Sequence, residues 1–171
     1  MVEKVSWSYT QGSPAYGLWR LKEMRLLGAE RQGQLPSLHI HACASSDYFY
    51  GEEDGFRRDI EKYMIADFSS LELHLITKGH SFEALMVHLL GTNRICRAMQ
   101  RLKIILQKST VKETCPTRCR CKPTNWQSQT ISLTALEEVE INGFEGGEHE
   151  MDFLKLIFEC APVLKRMTVN L

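Results

Sequence analysis

The sequence predicts an α/β fold, in which short strands and helices alternate along a curved, mainly parallel sheet with its helices on the convex side. The first observation is an apolar phrase with side chains at i, i+3, i+6 and i+8, clearest over residues 18–26, 133–141 and 161–169. The second is its spacing, because looser copies recur about every 30 residues after residue 35, the size of one strand-plus-helix unit. Such units bury their apolar side by stacking on neighbours. The sequence therefore indicates a leucine-rich-repeat-like solenoid.

The N-terminal part of the chain contains the less regular elements. Residues 1–17 are polar and suit one short strand, and residues 18–27 give the first apolar phrase. Pro36 restrains the start of an alternating strand over residues 38–41. Residues 56–68 place apolar side chains at i, i+4, i+7, i+8 and i+12, which predicts one face of a helix.

The middle of the chain follows the strand-then-helix order more clearly. Residues 71–76 alternate apolar and polar side chains almost strictly, which predicts a half-buried strand. Residues 82–90 have helical periodicity, and a short helical stretch over 93–99 follows before a strand over 101–107. Residues 108–130 lack any regular pattern and predict a long loop, which is unusual inside a compact domain.

The C-terminal part repeats the same order of elements. The phrase over residues 133–142 is followed by a glycine-rich turn, an amphipathic helix over 148–160 and a last strand over 164–170. We expect this last helix and strand to cap the array and the first strand to be an uncovered edge, which predicts marginal stability for the isolated chain. The side chains expected to be buried by the helix are Met151, Phe153, Leu154, Ile157, Phe158 and Ala161.

The composition excludes several classes of function. The chain has 21 basic and 21 acidic residues, so no net charge attracts it to nucleic acid or anionic lipid. No apolar run approaches the ~20 residues that span a bilayer, and the N-terminus does not resemble a signal peptide. Six cysteines without a secretory signal favour a reducing compartment, the cytoplasm or nucleus. Residues 101–130 are locally basic and residues 131–171 locally acidic, a split typical of solvated surface that could also orient a partner.

A cysteine cluster is the most specific chemical pattern in the chain. Cys115, Cys119 and Cys121 could bind zinc with His149 or Cys160 as the fourth ligand, but the spacing lacks the paired C-x2-C knuckle. A redox-prone loop or an ordinary loop fits the same residues, and we predict no metal and no cofactor. The sequence contains no catalytic signature or phosphate-binding glycine loop, so we predict that the chain is not an enzyme.

The concave side of the sheet is the predicted functional surface. In a strand whose alternate residues are apolar and buried, the residues between them face outward. His39, His41 and His74 fall on this side, where exposed sheet residues are the plainer interpretation and a metal site the alternative. Glu23, Arg25, Leu27 and Asn170 share the same geometry. The candidate partner-binding residues are Glu72, His74, Ile76, Lys103, Ile105, Glu138, Glu140, Asn142, Arg166 and Thr168.

The C-terminal sequence resembles a known family. The stretches "LEEVEINGF" over residues 136–144 and "FLKLIFECAPVLKRM" over residues 153–167 resemble the FBD domain of plant F-box proteins, with residues 121–126 as its lead-in. Residues 71–75 and 99–106 resemble the leucine-rich repeats that precede this domain in the family. The resemblance divides the chain into a repeat-like region over 1–110, a cysteine-containing loop over 111–130 and an FBD domain over 131–171.

The resemblance implies the C-terminal part of a plant F-box, leucine-rich-repeat and FBD protein. In that family the F-box docks on the Skp1 adaptor of an SCF-type ubiquitin ligase, and the repeats hold the protein to be ubiquitinated. No F-box is found in this sequence, so a contact with Skp1 is expected only if an F-box is supplied upstream. We therefore predict a non-catalytic module that recognises an unknown protein substrate. The alternative is a stand-alone regulatory or structural binding module without a ligase link.

Overall fold

A computed structural model describes residues 5–8, 15–16, 19–27, 36–44, 68–77, 81–91, 93–108 and 131–171. The helix expected over residues 56–68, apart from Phe68, and the cysteines at 115, 119 and 121 lie outside these ranges. The elements are β1 (Val5–Ser8), β2 (Ala15–Tyr16), β3 (Trp19–Leu27), β4 (Ser37–Ala44), β5 (Ser70–Thr77), α1 (Ser81–Leu90), α2 (Asn93–Cys96), β6 (Arg101–Lys108), β7 (Glu138–Asn142), α3 (Glu148–Cys160) and β8 (Arg166–Asn170).

The described strands form one eight-stranded sheet in the order β1-β3-β4-β5-β6-β7-β8, with β2 paired to β3. The strands β4 to β8 are parallel and neighbour one another in chain order. Parallel neighbours require long crossover connections, and α1, α2 and α3 lie within two of these connections. The arrangement is an α/β fold built on a five-stranded parallel sheet.

The first apolar phrase does not form a parallel repeat unit. It forms β3, which runs antiparallel to β4, and β1 and β2 pair antiparallel along its other edge. The connection over residues 28–36 is shorter than the dozen or so residues that a parallel crossover needs, so the chain turns back directly. Strand β3 is therefore paired with other strands along both of its edges. Among the described strands, the sheet ends on β1 at one side and on β8 at the other.

The core is built from two apolar rows that cross the parallel strands. The register aligns Leu38 with Leu71, and each row continues through β6 to β7. Every member is at most 2 % exposed, so the alternation in sequence corresponds to alternation in burial. The rows belong to one core cluster, against which Met167 and Val169 of β8 are packed with partial burial. Their buried members from β4 to β7 are Leu38, Leu71, Leu102 and Val139 in one row and Ile40, Leu73, Ile104 and Ile141 in the other.

Helix α3 has the predicted bounds but a different buried face. Phe153 and Ile157 are buried as expected, whereas Met151 is 43 % exposed and Phe158 is 63 % exposed. The buried positions Phe153, Leu156, Ile157 and Ala161 follow the i, i+3, i+4, i+8 pattern of a single stripe. Met151 and Phe158 lie seven residues apart on the opposite side, so their burial was predicted wrongly.

The start of α3 is held by one buried carboxylate. Glu150 is the one buried charged side chain among the residues described, and its Oε2 accepts the backbone N–H groups of Glu145 at 2.9 Å and Gly147 at 3.0 Å. An acidic side chain at the third helical position satisfies otherwise unpaired donors and complements the helix dipole. Glu150 thereby fixes the turn that leads from β7 into the helix.

Candidate functional site

The side of strands β4 to β8 that faces away from the core is called the exposed face below. Its side chains alternate with the core-facing residues of each strand, as the strand pleat requires. Every candidate partner-binding residue named from the sequence lies on this face and is half-buried or exposed. The role of these residues in binding a partner stays a prediction. These residues are Glu72, His74 and Ile76 on β5, Lys103 and Ile105 on β6, Glu138, Glu140 and Asn142 on β7, and Arg166 and Thr168 on β8.

The strand register aligns these side chains in rows that cross the sheet. The first row contains Arg101, Glu138 and Arg166. The second row contains His39, Glu72, Lys103, Glu140 and Thr168. The third row contains His41, His74, Ile105, Asn142 and Asn170. Charge alternates in sign from β5 to β7 in the second row and from β6 to β8 in the first, while the third row carries no formal charge apart from any protonated histidine.

Glu138 joins three strands in the first row. Its Oε1 accepts from Nη2 of Arg166 at 2.5 Å, and its Oε2 lies 3.3 Å from Nε of Arg101. The hydrogen bond from Arg166 lowers the pKa of Glu138, and the charges of Arg166, Arg101 and Lys165 lower it further. Two guanidinium groups therefore share one carboxylate, which leaves a surplus positive charge in this row.

A chain of polar contacts links the second and third rows. Nδ2 of Asn170 donates to Oδ1 of Asn142 at 2.7 Å, and Nδ2 of Asn142 donates to Oε1 of Glu140 at 2.8 Å. Nζ of Lys103 lies 3.5 Å from the same Glu140 oxygen. The hydrogen bond from Asn142 lowers the pKa of Glu140, and the charge of Lys103 acts in the same direction. The exposed face is therefore ordered by contacts among its own side chains.

The histidines gather around a single carboxylate at the β4–β5 boundary. Nε2 of His74 lies 2.6 Å from Oε1 of Glu72, and Nδ1 of His39 lies 3.5 Å from the same oxygen. The rings of His41 and His74 meet edge to face with centroids 6.3 Å apart. Glu72 thus orients two imidazoles, and a third lies next to them on the same strand pair.

The half of the exposed face nearer the carboxyl ends of strands β4 to β8 has no Lys, Arg, Asp or Glu side chain among its described residues, and it is called the uncharged zone. Ile76 and Ile105 are its half-buried apolar side chains, and they are diagonal neighbours because Ile76 pairs with Gln107 and Ile105 with His74. Diagonal neighbours on adjacent strands are close enough for long side chains to touch a common group. The zone contains His41, Cys43, His74, Ile76, Ile105, Gln107, Asn142 and Asn170.

Some residues of this surface were not in the candidate set. Arg101 and Gln107 alternate with the buried residues of β6, as Lys103 and Ile105 do. This alternation is visible in the sequence and could have identified them. Glu23 and Arg25 of β3 form an ion pair and align with His41 and His39, although their strand runs in the opposite direction. Alternation within a strand places side chains on a face correctly whatever the direction of the strand.

Two further features were sought among the described residues, a cluster of metal ligands and a membrane-spanning helix. Within these ranges, no group of three or more His, Cys, Asp or Glu side chains is arranged to hold a metal ion. Of the helices in the same ranges, none is long and apolar enough to cross a bilayer. Cys160, one proposed zinc ligand, has a free thiol, and burial raises its pKa.

Comparison with known proteins identifies one domain. The model of the FBD family matches residues 133–169, which span β7, α3 and β8, and this match supports an FBD-containing protein. The FBD domain is a non-catalytic domain of the protein-interaction type that is associated with F-box proteins. No curated protein matches the chain, and no solved structure matches it.

Proposed function

We propose that this chain is a non-catalytic protein-recognition module, and that it is the substrate-recognition part of an F-box protein in an SCF-type ubiquitin ligase. The FBD match over residues 133–169 supports the association with F-box proteins. The parallel strands β4 to β8 support a leucine-rich-repeat-like solenoid, since each adds one strand to the same sheet and two residues to the same core rows. In that architecture the open sheet face is the surface offered to a partner.

The observation that carries the proposal is that the exposed face has a charged half and an uncharged zone. Its charged side chains, such as Lys103 and Glu140, are already paired with one another. Exposed ion pairs contribute little free energy and mainly set orientation and specificity. Ile76 and Ile105 instead offer apolar surface beside histidine and amide side chains, the composition expected at the centre of an interface. We place the main contact with the substrate protein on the uncharged zone.

The double variant Ile76→Ala/Ile105→Ala tests this placement. Truncating central interface residues costs more than about 1 kcal/mol each when they are hot spots, which corresponds to at least about fivefold weaker binding. The matched control is Phe158→Ala, which removes a larger exposed apolar side chain from the helical side. In proximity-labelling experiments in cells, the proteins that the wild type labels specifically should no longer be labelled by the double variant. The same proteins should still be labelled by Phe158→Ala. Equal labelling by both variants would refute the placement.

The ligase link has a separate test. Purification of the natural protein from its own cells should bring down a Skp1-type adaptor and a cullin, and inhibition of the proteasome should increase the amount of the labelled partner. If the adaptor is absent while the partner persists, the stand-alone binding module is the correct function.

The cytoplasm or the nucleus is the proposed location. Cys43, Cys96 and Cys160 are free thiols, and the thiol of Cys96 is buried, as is common in proteins of reducing compartments. A ligase of this class acts in the same compartments.

A further inference from the structure

His41 of β4 and His74 of β5 are direct neighbours in the interior of the sheet. The parallel register pairs them, and both side chains are half-buried on the exposed face. Strand β3 flanks β4 and strand β6 flanks β5, so the pair has a further strand on either side. The two rings meet with centroids 6.3 Å apart and planes at 60°. The backbone therefore holds two imidazoles side by side.

Glu72 determines which nitrogen of His74 can act as a ligand. Nε2 of His74 lies 2.6 Å from Oε1 of Glu72. Because an ionised carboxylate only accepts hydrogen bonds, Nε2 carries the hydrogen, and in the neutral ring Nδ1 then keeps its lone pair. The hydrogen bond of one ring nitrogen sets which nitrogen binds a metal, and a carboxylate in this position commonly accompanies a metal-binding histidine. His74 is thus already in the tautomer that presents Nδ1 to a metal ion.

The direction of this ligand favours His41 over His39 as its companion. The two nitrogens of an imidazole lie on different sides of the ring, so Nδ1 of His74 points away from Glu72. His39 lies on the Glu72 side, since its Nδ1 is 3.5 Å from the same carboxylate oxygen. His41 is the residue directly opposite His74. The ligand pair is therefore Nδ1 of His74 and a ring nitrogen of His41.

The spacing of the two rings is close to that of a chelate. Zinc–nitrogen bonds of about 2.0–2.1 Å place the centroids of two imidazoles about 5 Å apart on one tetrahedral ion. The observed 6.3 Å must shrink by about 1 Å, and the side chain of His74 is 44 % exposed, so a small rotation of its torsions meets little packing. No group of three or more ligand side chains in the described ranges is arranged around an ion, so water completes the coordination.

We propose that His41 and His74 bind a divalent transition-metal ion such as Zn²⁺, and that Glu72 is the positioning residue of this site. Imidazole is a ligand that zinc, copper and nickel share. The site lies in the uncharged zone, but metal binding needs no protein partner. The inference therefore stands or falls separately from the function proposed for the exposed face.

The test is a titration of the full chain with Zn²⁺ at pH 7.5. Calorimetry gives the affinity, and the imidazole Cε1–H resonances in NMR spectra locate the ion. All proteins in the series have Cys115, Cys119 and Cys121 replaced by serine, so that zinc bound to these thiols does not contribute. We expect saturable binding that shifts the resonances of two histidines. At pH 5.5 the binding should be lost, because a protonated imidazole cannot bind a metal.

Three variants assign the residues. His41→Gln and His74→Gln each remove one of two protein ligands, and each should weaken zinc binding at least about tenfold and abolish the shift of the other histidine. Glu72→Gln keeps both ligands but removes the carboxylate that orients His74, and we expect binding about tenfold weaker. All three positions are partly exposed, so circular dichroism spectra should be unchanged.

His39→Gln is the matched control, because His39 lies on the same strand and the same face as His41. It should leave the zinc affinity unchanged. The absence of saturable binding would overturn the inference, as would equal affinities of the parent chain, His41→Gln and His74→Gln. A loss with His39→Gln and none with His41→Gln would also overturn it, since the ion would then lie on the Glu72 side of His74.

Discussion

Phe82 of α1 and Phe153 of α3 meet edge to face, with ring centroids 5.3 Å apart and ring planes at 80°. The two helices belong to different crossovers, and both rings are almost fully buried. Edge-to-face pairs add about 0.5–1.5 kcal/mol to the free energy gained from burying their area. The contact joins the FBD segment to the β5–β6 crossover, so the two regions share one core.

Phe153→Ala should therefore destabilise the whole chain. Removing a buried phenylalanine creates a cavity and loses the ring pair, which costs about 3–5 kcal/mol of the free energy of unfolding. Urea denaturation measures the change. The control Phe158→Ala removes the same side chain from an exposed site of the same helix and should cost less than about 1 kcal/mol. Equal losses from the two variants would mean that α3 packs with another face inward.

Gly143 and Gly146 give a second matched pair. Both have positive φ, +78° and +75°, but a Cβ added at Gly143 would collide with the backbone carbonyl of Leu106, whereas at Gly146 it would meet only a ring carbon of Phe144 at 3.9 Å. Gly146→Ala should cost about 1 kcal/mol for the left-handed backbone alone. Gly143→Ala should cost at least about 1 kcal/mol more, since β6 or the turn after β7 must shift. Equal midpoints of thermal unfolding for the two variants would contradict the close approach.

Burial alternation is the part of the fold that the sequence predicted well. Within β5, Leu71, Leu73 and Leu75 are buried and the residues that follow each of them are half-buried, as predicted, because a pleat with one buried face leaves no other solution. The exposed face followed from the same rule, since residues between buried positions must point away from the core. The α3 helix was predicted to the residue because acidic residues mark its start and Pro162 follows its end.

Strand direction and helix rotation were harder to predict. The phrase at residues 18–26 has the same spacing as a true repeat, and only the short connection over 28–36 shows that β3 must turn back. On α3, apolar residues occupy more of the circumference than one stripe can bury, so Met151 and Phe158 could not be excluded from the buried face by hydrophobicity alone. The contact of Glu72 with His39 on the neighbouring strand depends on strand register, which local sequence does not contain.

The stability of the exposed face should fall in acid. The pKa of Glu138 is lowered in the folded chain by its hydrogen bond from Arg166, so its contribution is complete above the unfolded value of about 4.3 and is lost as the pH falls through the folded value. The difference in unfolding free energy between the wild type and Glu138→Gln should be present at pH 7 and shrink below about pH 4. The control Glu159→Gln alters an exposed carboxylate of α3. A difference for Glu138→Gln that does not change down to pH 2 would contradict the ion pair.

Cys96 should be the least reactive of the described thiols. Burial raises its pKa to about 12, and its Sγ donates to the carbonyl of Leu90 at 2.8 Å. Because the thiolate is the nucleophile, alkylation by iodoacetamide at pH 8 should be at least about a hundredfold slower than at the half-buried Cys43. Mass spectrometry of the modified peptides measures both rates. Rapid labelling of Cys96 in the folded chain would show that its thiol is not buried, and labelling in urea should remove the difference.

The central claim is that the exposed face contacts the partner protein, and site-specific photo-cross-linking tests it most directly. A benzophenone amino acid is placed at position 105 on the exposed face or, as the control, at position 155 on the outer side of α3. After irradiation in the native cells, position 105 is predicted to give a discrete adduct with a specific protein and position 155 none. Adducts from position 155 with none from position 105 would contradict the account.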